Sequence, residues 1–189
     1  ADKKAQDKVI KQLLVYASLY NLDGINIDFE NVYDDDKDKL TQFVGRLTSA
    51  LHQQNMVVSM DVTVPSSSPF WSNCYDRKKL SDIVDYIMVM TYDEHWSRSQ
   101  KSGPVASLSW VDAGIKKMLT EVPKEKLVMG VPFYTREWEE GESGRVKAKT
   151  LSMAMVDNLI KEKNLDVIWL EDKGLNYTEY YQEGNRYRI

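Results

Sequence analysis

Hydrophobic residues recur at two spacings through most of the chain, and each spacing predicts one kind of element. Apolar positions three and four apart predict helices, whereas alternating or short continuous apolar runs predict strands. The predicted helices cover residues 3–20, 36–54 and 109–120, with a short helical turn at 79–83. The predicted strands cover residues 24–30, 56–64, 86–92 and 126–132. Helical segments of this length between strands predict an α/β fold with a parallel sheet.

The pattern changes after residue 133, where the regular succession of strands and helices stops. A polar loop containing Gly141 and Gly144 is expected to lead into a helix near residues 150–163. Two short strand-like segments follow, at 167–170 and 187–189, on either side of a tyrosine-rich turn. We therefore expect a small α+β subdomain here. The predicted domains are residues 1–134 and residues 135–189.

The composition limits the classes of function. With 42% hydrophobic and 29% charged residues, the 189-residue chain has the composition of a globular protein. Its net charge of −4 argues against a nucleic-acid partner, which requires a concentrated basic face. No apolar run approaches the roughly 20 residues that a membrane-spanning helix needs, so no membrane partner is expected.

Cysteine usage bears on cofactors. Cys74 is the single cysteine, so neither an intrachain disulfide nor a cysteine-based zinc site can form. It lies in a stretch rich in serine, asparagine and proline, which predicts a thiol in a loop. We expect neither a metal nor a cofactor.

The predicted strand 24–30 carries the residues with the most evident chemistry. Residues two apart on a strand share a face and lie about 7 Å apart, so Asn26, Asp28 and Glu30 are expected on one polar face. Two neighbouring carboxylates do not ionise independently. The pattern therefore predicts that Glu30 keeps its proton near neutrality and acts as a general acid, with Asp28 as its charged partner.

A metal site and a purely structural role are also compatible with this polar face. Oxygen ligands could bind a metal ion, although one strand presents fewer oxygens than calcium requires and no histidine is near. The three side chains could also form a salt-bridged barrel interior, although burying them without a function would cost free energy.

Four segments together resemble glycoside hydrolase family 18, the chitinase-like enzymes. The octapeptide Asp23–Glu30 (DGINIDFE) resembles the family signature Asp-x-x-Asp-x-Asp-x-Glu. Met90–Asp93 (MTYD) is similar to the motif on the sixth strand of the family, and Gly130–Arg136 to the end of the seventh. Trp169–Ile189 resembles its α+β insertion. The resemblance implies a (β/α)₈ TIM barrel, whose active site lies at the carboxyl ends of the strands.

The resemblance also implies roles for individual residues. Glu30 matches the general acid, which later acts as the base, and Asp28 matches the residue that orients the 2-acetamido group of the substrate and stabilises the oxazolinium ion. Such enzymes are retaining, and the acetamido oxygen of the substrate is the nucleophile. Tyr92 is implied to donate a hydrogen bond to the acetamido group, and Asp93 to line the same subsite.

Further residues are candidates for substrate contact. Trp96 and Arg136 suit sugar rings and hydroxyls, although ordinary packing accounts for each of them equally well. The remaining residues assigned to substrate binding or to the motif are Asn26, Met90, Tyr134, Asp23 and Gly24.

Asn26 departs from the signature, which has an aspartate at this position. An amide cannot become charged, but its N–H groups can donate to the Asp28 carboxylate. This form of the motif resembles that of bacterial spore-associated and cell-wall-associated members. It therefore favours peptidoglycan-type glycans over crystalline chitin, and an extracellular, cell-wall or spore location, although residues 1–11 have no apolar leader.

The four predicted strands resemble only the fourth to the seventh strand of the family barrel. We therefore expect a partial barrel that lacks the first three strands and the eighth, self-associates through exposed sheet edges and has reduced activity. The leading function is a hydrolase acting on β-1,4-linked N-acetylglucosamine-containing glycans. A non-catalytic glycan-binding lectin on the same scaffold is the alternative, and the presence of Glu30 favours the enzyme.

Overall fold

The computed structural model describes residues 2–141, 144 and 146–189, which form five α-helices and ten strands. The helices are α1 (Lys3–Leu19), α2 (Lys37–His52), α3 (Arg77–Ile83), α4 (Leu108–Met118) and α5 (Met153–Lys163). The strands are β1 (Gly24–Ile27), β2 (Val57–Thr63), β3 (Tyr86–Met90), β4 (Leu127–Gly130), β5 (Tyr134–Glu140), β6 (Val146–Ser152), β7 (Ile168–Leu170), β8 (Leu175–Tyr177), β9 (Glu179–Gln182) and β10 (Asn185–Arg188).

These elements belong to two compact units. The first contains Ala1–Met90 and Ile115–Gly130, and the second contains Thr91–Gly114 and Val131–Ile189. The predicted boundary after residue 134 stays a prediction. None of the helices in the described part of the chain combines the length and apolar character that crossing a bilayer requires.

The first unit is built on a parallel sheet with the strand order β1-β2-β3-β4, which confirms the four predicted parallel strands. Alternate residues of β2 are buried, namely Val58, Met60 and Val62. The predicted apolar stripe of α2 is buried as well, and consists of Leu40, Phe43, Val44, Leu47 and Leu51. These two surfaces form one hydrophobic core, because a helix stripe and a sheet face must each exclude water.

Strand β1 is shorter than the sequence predicted. It ends at Ile27, so Asp28, Phe29 and Glu30 follow the strand instead of lying within it. Its first residue has no room for a side chain, because a Cβ on Gly24 would lie 2.2 Å from the carbonyl oxygen of Val57. Gly24 therefore allows the close approach of the β1 and β2 backbones.

The second unit contains an antiparallel sheet with the order β6-β5-β10-β9 and a separate hairpin of β7 and β8. The predicted loop residues Gly141 and Gly144 lie between β5 and β6, outside both strands. The prediction that this loop leads directly into the helix was wrong, since β5 and β6 pair along their whole length. Helix α5 begins at Met153, after the Ser152 hydroxyl caps its first turn by accepting from the backbone N–H of Met155. The start predicted at residue 150 therefore fell inside β6.

Candidate active site

The carboxyl ends of the four parallel strands lie at one edge of the first unit, as they must in a parallel sheet. Strand β1 ends just before Asp28, and β3 ends at the buried Met90. In α/β barrels this is the edge on which catalytic residues are found. We call the segment Asn26–Glu30, with its contacts Ser59, Asp61 and Tyr75, the β1 edge.

Asp28 and Glu30 are exposed, and the backbone between them is fixed by a buried tyrosine. The Tyr75 hydroxyl donates to the carbonyl oxygen of Phe29 over 2.7 Å, while only 3% of Tyr75 is exposed. Burial raises the pKa of Tyr75, and the nearby charges, which include those of Glu30 and Asp28, raise it further. The phenol therefore stays protonated near neutral pH and continues to donate this hydrogen bond.

The amide of Asn26 bridges β1 and β2. Its Oδ1 accepts from the Ser59 hydroxyl at 2.7 Å, and its Nδ2 donates to Asp61 Oδ2 at 2.9 Å. The expected donation was to Asp28. The contact in the structure is with Asp61, a carboxylate on the neighbouring strand.

Asp61 is a residue that the sequence reasoning missed. Burial raises the pKa of the Asp61 carboxyl, the hydrogen bond from Asn26 lowers it, and the charge of Asp28 raises it. The available signal was the spacing of Ser59, Asp61 and Thr63, which are polar residues two apart on one face of the predicted strand.

Cys74 lies in a turn between β2 and α3, as predicted, but its thiol is not exposed to solvent. It is fully buried in the hydrophobic core of the first unit, and burial raises the pKa of its thiol. Such a thiol is a poor nucleophile, because only the thiolate reacts.

The second unit gathers several of the remaining candidates around one carboxylate. Asp93 Oδ1 accepts from the Tyr134 hydroxyl at 2.6 Å and from Arg136 Nη2 at 2.5 Å. Asp93 has a φ of 61°, a left-handed conformation that is uncommon outside glycine and is found at functional sites. Burial and the Asp93 carboxylate together raise the pKa of Tyr134, so its hydroxyl stays protonated.

Arg136 completes this group, which we call the Asp93 cluster: Asp93, His95, Tyr134, Arg136 and Thr150. The guanidinium is 7% exposed, and it also donates to the His95 carbonyl oxygen and to the Thr150 hydroxyl. Its carbon lies 5.5 Å from the centre of the Tyr134 ring. These contacts give Arg136 a structural role, and its predicted contact with sugar stays a prediction.

Tyr92 and Trp96 present aromatic rings in the same unit. The Tyr92 ring meets the Tyr134 ring edge to face, with centroids 6.3 Å apart, and Trp96 is 50% exposed. Glu137 is buried and accepts from the Tyr180 hydroxyl at 2.7 Å. The described residues contain no group of three or more histidine, cysteine or acidic side chains arranged to hold a metal ion.

The sequence of the chain is similar to those of known glycosyl hydrolases. The family model "Glycosyl hydrolases family 18" matches residues 1–187. The chain is 29% identical to an uncharacterized glycosylase, YvbX, of Bacillus subtilis, over 92% of the chain and 57% of that protein. It is 23% identical to the cortical fragment-lytic enzyme of the same organism, over 98% of the chain and 44% of that protein.

A solved structure supports the same relationship. The chitinase from Chromobacterium violaceum superposes with a TM-score of 0.88 at 25% identity, over 98% of the chain and 58% of that structure. The chain thus spans about half the length of the curated relatives it matches. The relationship implies a TIM-barrel-like fold, of which the described residues contribute four parallel strands and the further sheets. The chain belongs to glycosyl hydrolase family 18.

Proposed function

We propose that the protein is a retaining glycosidase that cleaves β-1,4-linked N-acetylglucosamine-containing glycans, with Glu30 as acid and Asp28 as the group that orients the acetamido substituent. The observation that carries this proposal is the exposure of both carboxylates directly after the carboxyl end of β1, on backbone that Tyr75 fixes. Family membership and the chitinase and cortical fragment-lytic relatives support this class of substrate.

The chemistry uses the substrate itself as the nucleophile. Glu30 donates its proton to the glycosidic oxygen while the acetamido oxygen attacks the anomeric carbon, so the leaving glycan departs as an alcohol and an oxazolinium ion remains. The Asp28 carboxylate stabilises the positive charge of that ion. Glu30, now ionised, accepts a proton from the water that opens the ring, which restores the acetamido group with retained configuration.

The residues of the second unit have supporting roles in this proposal. Tyr92 donates to the acetamido group and Asp93 lines the same subsite, held by Tyr134 and Arg136. The exposed ring of Trp96 offers an apolar face to a sugar. The four parallel strands correspond to the fourth to seventh strands of the family barrel, and residues 135–189 to its insertion.

Peptidoglycan is the preferred glycan in this proposal, with chitin as the alternative, and the place of action is the cell wall or the spore. The asparagine form of the signature supports this choice, as does similarity to a cortical fragment-lytic enzyme. Self-association through the edges of the parallel sheet stays a prediction.

The test compares turnover by the intact protein with that by Glu30→Gln, using a chromogenic N-acetylglucosaminide, purified peptidoglycan and chitin. General acid catalysis contributes about 10²- to 10⁴-fold, so Glu30→Gln should lower kcat by that factor. Glu125→Gln, which changes an exposed glutamate in a short turn, is the matched control and should retain full activity. Binding of these glycans by the unaltered protein without turnover would select the lectin alternative.

A further inference from the structure

The Asn26 amide is held at both ends by groups on β2. Asn26 is the register partner of Ser59 in the parallel pairing, and Asp61 follows two residues later on the same face. The Ser59 hydroxyl donates to Oδ1 at 2.7 Å, and Nδ2 donates to the Asp61 carboxylate at 2.9 Å. An ionised carboxylate can only accept, so Asp61 requires the N–H₂ side of the amide to face it.

The charged surroundings of Asp61 are acidic. From β1 the charged group that faces it is Asp28, and from β3 its register partner is the apolar Met88. The side chain is partly buried, and burial is the largest cause of its raised pKa. The Asn26 hydrogen bond therefore stabilises an anion that its surroundings otherwise disfavour.

We propose that Asp61 is a positioning residue of the candidate site, which orients the Asn26 amide and places on β2 the carboxylate that the family signature has at position 26. The carboxylate missing from the octapeptide is thus present on the adjacent strand, connected to β1 by one side-chain hydrogen bond. The effect of Asp61 on turnover rests on the proposed function, since Asp61 acts through Asn26 and Asp28. The coupling of Asp61 to those two residues can be measured independently of the proposed function.

The coupling is tested first, by carboxyl ¹³C NMR titration of the protein. The pKa of Asp61 should lie above the ordinary value of 3.8. Asp28→Asn should lower it, because a neighbouring negative charge is removed, and Asn26→Ala should raise it, because a stabilising donor is lost. Asp82→Asn, an exposed substitution in α3, is the matched control and should not change it.

The pH dependence of stability gives a second measurement on the same variants. A carboxyl whose pKa is raised by folding favours the fold when protonated, so its contribution is lost as pH rises from about 3.8 through the folded value. Asp61→Asn cannot ionise. As pH rises through this range, the free energy of unfolding of this variant, measured by urea denaturation, should therefore increase relative to that of the unaltered protein.

Turnover is tested last, in the intact protein, with the reciprocal exchange of the two residues. Asp61→Asn removes the negative charge beside Asp28 and leaves an amide that no longer requires one orientation of Asn26. It should lower kcat by about 10- to 100-fold and should change the acidic limb of the pH profile. The double variant Asn26→Asp/Asp61→Asn, which returns the carboxylate to β1, should recover most of that loss.

The outcomes separate the two proposals. An Asp61 pKa that is insensitive to both Asp28→Asn and Asn26→Ala would overturn the positioning role, whether or not the protein hydrolyses glycans. Absence of turnover by the unaltered intact protein would reject the proposed function, while the titrations would still decide the role of Asp61. If the kcat of the double variant is no higher than that of Asp61→Asn, the carboxylate at position 61 does not replace the one that the family signature has at position 26.

Discussion

Asp28 and Glu30 of the β1 edge lie on either side of a backbone carbonyl that is held in place, whereas in the second unit Asp93 is held through its own carboxylate. Asp28 and Glu30 flank a peptide carbonyl that Tyr75 fixes, and both side chains are exposed. Asp93 instead accepts from Tyr134 and from the buried Arg136. The first arrangement presents carboxylates to solvent on a fixed backbone, and the second uses a carboxylate to organise its surroundings.

The two regions also differ in how the negative charge of the aspartate is compensated. In the Asp93 cluster a guanidinium compensates the aspartate directly, at 2.5 Å. At the β1 edge Asp61 accepts from a neutral amide and faces a second carboxylate, and its pKa is raised. We therefore expect the Asp93 cluster to contribute stability, whereas the β1 edge contains unfavourable electrostatics of the kind that is common at functional sites.

The largest stability effect should come from removing the cation of the Asp93 cluster. Arg136→Met leaves a partly buried aspartate without its charged partner, and we expect a loss of about 3 kcal/mol in the free energy of unfolding. Arg136→Lys keeps a charge but not the planar fork, so it should lose less. Urea denaturation followed by tryptophan fluorescence measures both. A methionine variant within about 0.5 kcal/mol of the unaltered protein would show that the cluster is not the stabilising region.

An intermediate effect should come from the backbone contact that supports the β1 edge. Gly24→Ala forces a Cβ against the Val57 carbonyl, and such overpacking costs about 1–3 kcal/mol. Gly45→Ala in α2 is the matched control, because its Cβ would meet only Ile83 at 3.8 Å. This control should stabilise the helix by up to about 1 kcal/mol. If both substitutions changed the free energy of unfolding equally in the same denaturation experiment, the close approach of β1 and β2 would not require glycine at position 24.

The smallest effect on stability should come from Tyr75→Phe, which deletes the hydroxyl that fixes the Phe29 carbonyl. One hydrogen bond is worth about 1 kcal/mol in unfolding free energy. Because this bond lies between Asp28 and Glu30, kcat in the glycan assay should fall more than stability does. Tyr86→Phe, at an exposed position on β3, should change neither quantity. If Tyr75→Phe and Tyr86→Phe had the same effect on kcat, the hydrogen bond to the Phe29 carbonyl would not be what positions Asp28 and Glu30.

The parallel sheet and the acidic residues that follow β1 could be predicted from the sequence because their signals are local. Alternation along β2 and the apolar stripe of α2 lie within single elements. The hydrogen bond from Asn26 to Asp61 joins residues 35 positions apart, and no local pattern reports such a contact. The end of β1 at Ile27 could not be predicted either, because the alternation of polar and apolar residues continues through Glu30.

Strand β5 was missed for a related reason. Its centre buries the consecutive residues Arg136, Glu137 and Trp138, a pattern with neither the period of a strand nor the polarity of a core. Arg136 is buried because Asp93 accepts from it, and Glu137 because Tyr180 donates to it, both over more than 40 residues of sequence. Charged residues predict exposure unless such partners are known.

The narrow contact at Gly24 has a consequence for protein engineering. The octapeptide Asp23–Glu30 could not be grafted onto another scaffold as a self-sufficient cassette. A recipient would have to supply a neighbouring strand close enough to exclude a Cβ at the second position, a hydroxyl and a carboxylate for the amide at the fourth, and a buried phenol for the carbonyl of the seventh. The transferable unit is this segment together with β2 and Tyr75.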